Sequence, residues 1–205
     1  MQSKLQGMRL SNYLLLYILT TSVVTKAQNA FKGALEVKLL TSQIDGDQSG
    51  GYNKFGGTIS LNVIYQTKGL NYVLKMGASE RGSRRNIALE PGVPMHLRFR
   101  TADLGLGINK YFDKKWSAGA TIICALPISI KDTENYISEA VLKQDTKSLL
   151  LLGSLNIGYK LKEKINIVAF GEYSISSIFK NATNNIRYRN GSYFNVLGLG
   201  IQLAL

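Results

Sequence analysis

Apolar and polar residues alternate along most of the chain from Phe31 onward, and this period of two restricts the possible folds more than any other feature. A β-strand points successive side chains to opposite faces, so each alternating run predicts a strand with one apolar face. Eight such runs are present, at 31–39, 55–66, 70–79, 101–112, 116–126, 148–161, 165–175 and 197–205. We therefore predict an all-β fold.

The connections between these runs fall into two length classes. Three are short, at 67–69, 113–115 and 162–164, and four are long, at roughly 42–53, 80–98, 128–147 and 177–191. Short and long connections alternate, which together with an even strand number is typical of outer-membrane barrels. We predict an eight-stranded antiparallel up-and-down transmembrane β-barrel with short periplasmic turns and long extracellular loops. A soluble all-β fold is the alternative.

Residues 1–27 have the layout of a secretory signal peptide. A basic start precedes the apolar stretch YLLLYILTTSVV at 13–24, and Ala27 supplies a small residue before the predicted cleavage point. The apolar stretch is too short to span a membrane as a helix. We expect cleavage and export to the bacterial outer membrane, with 28–205 forming one barrel domain. A retained N-terminal anchor is the alternative.

Aromatic residues cluster beside the short turns. Tyr65, Phe112, Trp116 and Tyr159 all lie on the apolar faces of their strands, close to where a short turn begins or ends. The β-propensity of aromatic residues explains their presence in strands but not their concentration at one end. They are predicted to form a periplasmic aromatic girdle at the membrane interface.

Charged residues also occur on the faces predicted to point into the barrel. An eight-stranded barrel is just wide enough for its own side chains to fill, so these charges should pair with one another. This predicted lumen charge cluster has three basic and three acidic members: Lys32, Lys38, Lys75, Glu36, Asp103 and Glu172. A structural plug of salt bridges is the preferred interpretation, and a gate or ion path is the alternative. A wide porin channel is disfavoured.

The formal net charge is +12, and many of the basic residues fall in the long connections. Guanidinium groups match phosphate oxygens, so the outer-leaflet lipid is the simplest predicted partner. An acidic protein in an envelope complex is the alternative, and the missing aromatic interleaving makes nucleic acid unfavoured. The predicted extracellular basic rim comprises Arg81, Arg84, Arg85, Arg98, Arg100, Arg187 and Arg189, with Lys180 nearby. Oligomeric state is left open.

The motif Leu-Gly-Leu-Gly occurs twice, in LGLGINKYF at 104–112 and in LGLGIQLAL at 197–205. A phosphate-binding loop needs a helix directly after its glycines. Here the strand alternation continues through both copies, and the glycines fall on the inward face. We expect them to make room in a narrow interior rather than to bind a nucleotide.

No catalytic, cofactor or metal site is predicted. His96 is the only histidine and Cys124 the only cysteine, so a disulfide within the chain is excluded. Cys124 is expected to face lipid as a small hydrophobic residue. His96 is expected to be an ordinary rim residue, and the alternative is a general base in a lipid-modifying outer-membrane enzyme.

The chain resembles the small OmpA/OmpX-type outer-membrane barrels, in the form common in the Bacteroidetes. The resemblance rests on the leader ending in Ala27-Gln28, on LGLGINKYFDKKWSAGAT at 104–121, and on the closing strand. Such barrels usually end in an aromatic residue, whereas this chain ends in Leu205. The resemblance implies a non-enzymatic envelope anchor or binding protein that acts through its extracellular loops.

A second resemblance is to the TraO family of conjugative-transposon proteins. It rests on Lys-Gly-Ala-Leu-Glu-Val at 32–37 and on Gly-Leu-Asn-Tyr at 69–72. This similarity implies a place in a conjugation or secretion complex of the cell envelope, which is the alternative functional hypothesis.

Overall fold

Eight antiparallel strands close on themselves in chain order to form a barrel, which confirms the predicted fold. The computed structural model describes residues 31–45, 54–84, 96–132, 139–180 and 192–205. The predicted leader, residues 1–27, lies outside the described residues. The strands are β1 (Phe31–Asp45), β2 (Lys54–Gln66), β3 (Asn71–Arg84), β4 (His96–Tyr111), β5 (Trp116–Asp132), β6 (Leu150–Lys162), β7 (Ile165–Ser174) and β8 (Tyr193–Ala204).

The first and last strands complete the barrel. β1 pairs with β8 from Ala34↔Ala204 to Asp45↔Tyr193, while its other edge pairs with β2. Every strand therefore has two neighbours, and the ladder leaves no open edge. We call the end with the three short turns the short-turn end, and the opposite end the outer end.

Several strands extend further toward the outer end than the alternation predicts. β3 continues to Arg84 and β4 already begins at His96, and the two remain paired along this extension. The stretch from Glu80 to Arg84 is polar on both faces, so it carries no alternation although its backbone ladder continues. As a result β5 has 17 residues, whereas β7 has only 10, and the wall is taller on the β3–β5 side.

The exterior of the barrel is apolar around its whole circumference. Leu39, Leu106 and Leu155 expose 75%, 68% and 70% of their surface. The remaining five strands each contribute at least one large exposed apolar side chain: Leu61, Met76, Ile122, Ile167 and Leu199. Among the described residues, no helix has both the length and the apolar character to cross a membrane.

An apolar core closes the outer mouth of the barrel. The short helix α1 (Glu139–Asp145) buries Leu142 there, and a β-bridge joins Thr146 to Phe179. Phe99 packs against Phe194 and Phe179, with ring centroids 5.0 and 6.3 Å away. The sequence pattern predicted a polar inner face and did not predict this core.

The glycines of both Leu-Gly-Leu-Gly copies face inward and allow close approach. A Cβ on Gly200 would lie 2.6 Å from Cγ of Lys38, and one on Gly105 would lie 3.4 Å from Cβ of Lys75. β4 continues past its glycines to Tyr111 without a helix, so the nucleotide-loop interpretation is excluded. The glycines instead provide the space that two buried lysines occupy.

Candidate functional site

Two linked groups of charged side chains occupy the lumen, and the first is centred on Glu36 of β1. Lys75 Nζ of β3 lies 2.9 Å from Glu36 Oε2, and Lys38 Nζ lies 3.3 Å from Glu36 Oε1. Ser60 Oγ of the intervening β2 donates to the same carboxylate at 3.2 Å. All three charged side chains are almost fully buried, so the lumen supplies their partners.

The second group is centred on Arg81, which reaches across the lumen. Its Nη2 lies 2.9 Å from Asp103 Oδ2 of β4 and 2.8 Å from Glu172 Oε2 of β7. Its Nη1 also donates to Thr101 Oγ1 at 2.9 Å. The side chains of Arg81, Asp103 and Glu172 expose at most 1% of their surface, so this ion pairing is shielded from solvent.

The placement of Arg81 corrects the prediction that it belongs to the extracellular rim. β3 runs past Ser79, and residues at odd positions of this strand face inward, so Arg81 follows Lys75 and Ser79 into the lumen. The prediction ended the strand at Ser79 and therefore placed Arg81 in a loop.

The position of Lys32 corrects the prediction in the opposite direction, from the lumen to the surface. It was predicted to be in the lumen cluster, and its position in β1 has the inward parity, but its side chain is exposed. It precedes the first β1–β8 pair, Ala34↔Ala204, so only β2 flanks it. With Arg81 in its place, the buried cluster still contains three bases and three acids.

The described lumen is filled rather than open. On the short-turn side of the charges lies a cavity of about 50 Å³, a volume that suits a few water molecules. Its lining includes Asn62, Asn109, Asn156, Asn166 and Gln202. On the other side the charges adjoin the apolar core, where Lys38 Nζ lies 4.1 Å from the Phe170 ring centroid. This arrangement fits a plug better than an ion path.

A smaller charged group lies on the outer end of β2, β3 and β4. Glu80 is its centre: Lys54 Nζ lies 2.8 Å away, Arg100 Nε 3.1 Å and Arg98 Nε 3.3 Å. Arg84 is exposed nearby. Three cations around one carboxylate leave this outer rim positive. Three residues of the predicted rim lie outside the described residues: Arg85, Arg187 and Arg189. Lys180 is exposed in the segment that follows β7.

The aromatic residues predicted as a girdle lie at the short-turn end on the outer surface. Trp116 and Tyr159 are in contact, with ring centroids 4.9 Å apart, and Phe112 exposes 69% of its surface. Tyr65 extends the group to two residues that the prediction did not include, Phe31 at 5.0 Å and Tyr72 at 6.4 Å. Both were recognisable in the sequence by their outward parity. The role of the girdle at a membrane interface stays a prediction.

The two single reactive residues of the chain lie apart from the lumen charges. His96 is the first residue of β4, opposite Arg84 of β3, and Cys124 is half-buried in β5, opposite Leu104. In the part of the chain that the structure describes, histidine, cysteine and acidic residues form no group of three that could hold a metal ion.

Solved structures with the same architecture are small outer-membrane barrels. The attachment invasion locus protein Ail of Yersinia pestis, in complex with the heparin analogue sucrose octasulfate, matches over 85% of this chain and 99% of its own, with 11% identity and a TM-score of 0.52. Neisserial surface protein A matches over 85% and 96% of the two chains, with 11% identity and a TM-score of 0.49. At this identity the likeness to Ail concerns the fold alone.

No protein-family model matches the chain, and no curated protein matches it. The resemblances to the Bacteroidetes-type barrels and to the TraO family therefore stay predictions. The likeness to Ail supports the eight-stranded barrel fold.

Proposed function

We propose that the protein is an integral outer-membrane barrel that anchors in the envelope and binds its partners through its outer end. The observation that carries this proposal is the apolar exterior on a fully closed ladder. Large apolar surfaces are costly in water, and a closed barrel satisfies every strand edge inside a membrane. Exposed leucines occur on different sides of the barrel, for example Leu39, Leu106 and Leu155. In the proposed location these side chains contact lipid.

The lumen serves as a structural plug in this proposal. Its buried charges are paired, and the outer mouth is closed by the apolar core that includes Phe99, Phe179 and Phe194. Such a lumen stabilises the barrel without conducting solutes, and this agrees with the narrow interior expected for eight strands.

Envelope fractionation tests the membrane assignment. We expect the protein in the outer-membrane fraction, where a sodium carbonate wash at alkaline pH does not release it because lipid covers its exterior. A peripheral protein of the same fraction provides the control, since carbonate removes it. Release of the barrel by carbonate would contradict the proposal.

The outer rim is proposed to contact phosphate groups of the outer-leaflet lipid. Arg98 and Arg100 are one-third and more than half exposed although each also approaches Glu80, so donor groups remain available. Replacing both by Gln should lower the amount of lipopolysaccharide that copurifies in mild detergent. Lys143→Gln with Lys180→Gln removes the same charge on the α1 side of the outer end, away from Arg98 and Arg100, and should change the copurified amount little. Equal losses in both variants would argue against this contact.

The conjugation or secretion role is the alternative proposal, and it is supported by the TraO resemblance of the sequence. Cross-linking in native membranes followed by purification tests it. Reproducible capture of conjugation-apparatus proteins would favour it over the stand-alone anchor.

A further inference from the structure

The short-turn end carries a ring of lysines that neither the plug nor the outer rim uses. We call this ring the lysine collar; its members are Lys32, Lys68, Lys110, Lys114, Lys115, Lys160, Lys162 and Lys164. All are exposed except the half-buried Lys160. Only two acids accompany them in the turns, Asp113 and Glu163. The end of the barrel is therefore strongly positive.

The few acids of this end do not neutralise the collar. The Asp113 carboxylate accepts hydrogen bonds from the backbone amides of Lys115 and Trp116, at 2.6 and 2.7 Å, and so holds the turn. In the described residues, the ion pairs lie in the lumen, on the outer rim and within α1, and none includes a collar lysine. The ammonium groups of the seven exposed collar lysines therefore face solvent.

The position of the collar relates it to the membrane surface. Its lysines lie in or next to all three short turns and at the start of β1, so they surround the barrel instead of marking one side. They lie next to the exposed aromatic residues of the same end, and Lys115 Nζ is 5.9 Å from the Tyr159 ring centroid. Aromatic rings of a barrel lie at the level of the lipid headgroups, which places the lysines at or just beyond that level.

We propose that the lysine collar binds the anionic headgroups of the phospholipid leaflet at the short-turn end. A ring of cations fits a flat anionic surface that meets the barrel on every side, whereas a protein partner would contact one side. Lysine is a hydrated, flexible point charge, which suits mobile phosphate headgroups, and clustered lysines at a membrane surface attract acidic lipid. The described arginines, with their bidentate geometry, all lie toward the outer end. This inference rests on the proposed membrane location.

Trp116 makes the inference measurable, because it is the only tryptophan of the chain and lies beside Lys115. The full barrel is reconstituted in phosphatidylcholine vesicles with a fixed minor fraction of phosphatidylglycerol. Bromine atoms, which quench tryptophan fluorescence on contact, are placed on the acyl chains of one lipid or the other. From the attraction of each lysine we expect phosphatidylglycerol to be enriched around Trp116 at least about threefold over its bulk fraction.

Variants and salt separate a specific collar from a general effect of charge. Lys114→Gln with Lys115→Gln should bring the ratio of phosphatidylglycerol around Trp116 to its bulk fraction down toward one. Lys131→Gln with Lys143→Gln removes the same charge at the outer end and should leave the enrichment unchanged. In the unaltered protein, added salt should weaken the enrichment because it screens exposed charges. This salt test does not depend on the folding of any variant.

The failures of the two proposals are distinguishable. If neither brominated lipid quenches Trp116, the barrel is not in the bilayer and both proposals are wrong. If both lipids quench it in proportion to their bulk fractions, the barrel is inserted but the collar does not select acidic lipid. A preference that persists unchanged in high salt, or in the Lys114 and Lys115 variant, would also overturn the inference.

Discussion

Arg81 holds together two buried acids that form no other ion pair among the described residues. Its guanidinium bridges Asp103 and Glu172 in a site that excludes solvent, and neither acid has a second basic residue at a comparable distance among the described ion pairs. Removing one member of such a group costs far more than replacing the whole group, because the remaining charges stay in a low-dielectric interior.

We expect Arg81→Met to lower the free energy of unfolding by about 3–5 kcal/mol, because it leaves two carboxylates unpaired. Arg84→Met is the matched control, since it makes the same change on an exposed residue of the same strand and should cost less than about 0.5 kcal/mol. Urea unfolding of the protein folded in detergent measures both. Similar values for the two variants would show that the lumen ion pairs contribute little.

Asp113 links pH to stability at the short-turn end. Hydrogen bonds from the backbone amides of Trp116 and then Lys115 favour the charged carboxylate and lower its pKa below the ordinary value. A lowered pKa in the folded state stabilises the protein above the unfolded-state pKa of about 3.9. That stabilisation is lost as the pH falls through the folded-state pKa.

Asp113→Asn keeps an acceptor oxygen but removes the titrating charge. The difference in unfolding free energy between the unaltered protein and this variant should be constant at neutral pH and should narrow as the pH falls below about 4. Denaturant unfolding at a series of pH values measures it. A difference that is independent of pH, or that grows on acidification, would contradict the assigned role.

At the scale of elements, α1 acts as part of the closure of the outer mouth. It holds Leu142 in the apolar core, and its C-terminal end continues into the bridge between Thr146 and Phe179. Lys180 adds two hydrogen bonds to this closure. Its backbone amide donates to the Asp145 carbonyl at 2.8 Å, and its Nζ donates to the Gln144 carbonyl at 2.7 Å. The helix is therefore attached by packing and by backbone hydrogen bonds.

Leu142→Ala should cost about 2–5 kcal/mol, because the buried side chain leaves a cavity in the outer core. Val141→Ala changes the adjacent residue, which is 46% exposed, and should cost less than about 0.5 kcal/mol. Denaturant unfolding of both variants under the same conditions compares them. If Leu142→Ala proved as mild as its neighbour, α1 would not be docked in the mouth.

The strands show what could be predicted from the sequence at this scale. The alternation of apolar and polar residues located every strand, its inward face and the short turns, because one face of each strand is apolar and points outward while the other is polar and points into the lumen. It failed where that contrast is absent. The four leucines at 149–152 are apolar on both faces, yet Leu149 is half exposed and Leu150 is fully buried, and only the three-dimensional structure distinguishes them.

The same limit explains the errors in the candidate site. Five of the six predicted lumen charges are buried, as the parity of their positions in the strands indicates. Lys32 is exposed because it precedes the first residue pair between β1 and β8. Arg81 was missed because Glu80 to Arg84 is polar throughout and looks like a loop. Which acid pairs with which base depends on distances across the lumen, and no local pattern contains that information.

At the scale of the whole molecule, three zones follow one another along the barrel axis. The short-turn end has exposed aromatic residues and lysines. The middle has paired charges inside and apolar side chains outside. The outer end has the apolar core inside and a basic rim around it. An exterior of this kind would aggregate in water, whereas in the proposed membrane location a bilayer would cover its apolar band and would meet its aromatic and charged ends at the two interfaces. The distribution of residues is that of a membrane-spanning barrel.

The mobility of boiled and unboiled protein in a detergent gel tests this central claim most directly. A closed membrane barrel resists the detergent until it is heated, so we predict that unboiled protein from outer-membrane fractions migrates as a compact band and shifts on boiling. Identical mobility before and after boiling, with the protein recovered in the soluble fraction, would contradict the membrane-spanning barrel.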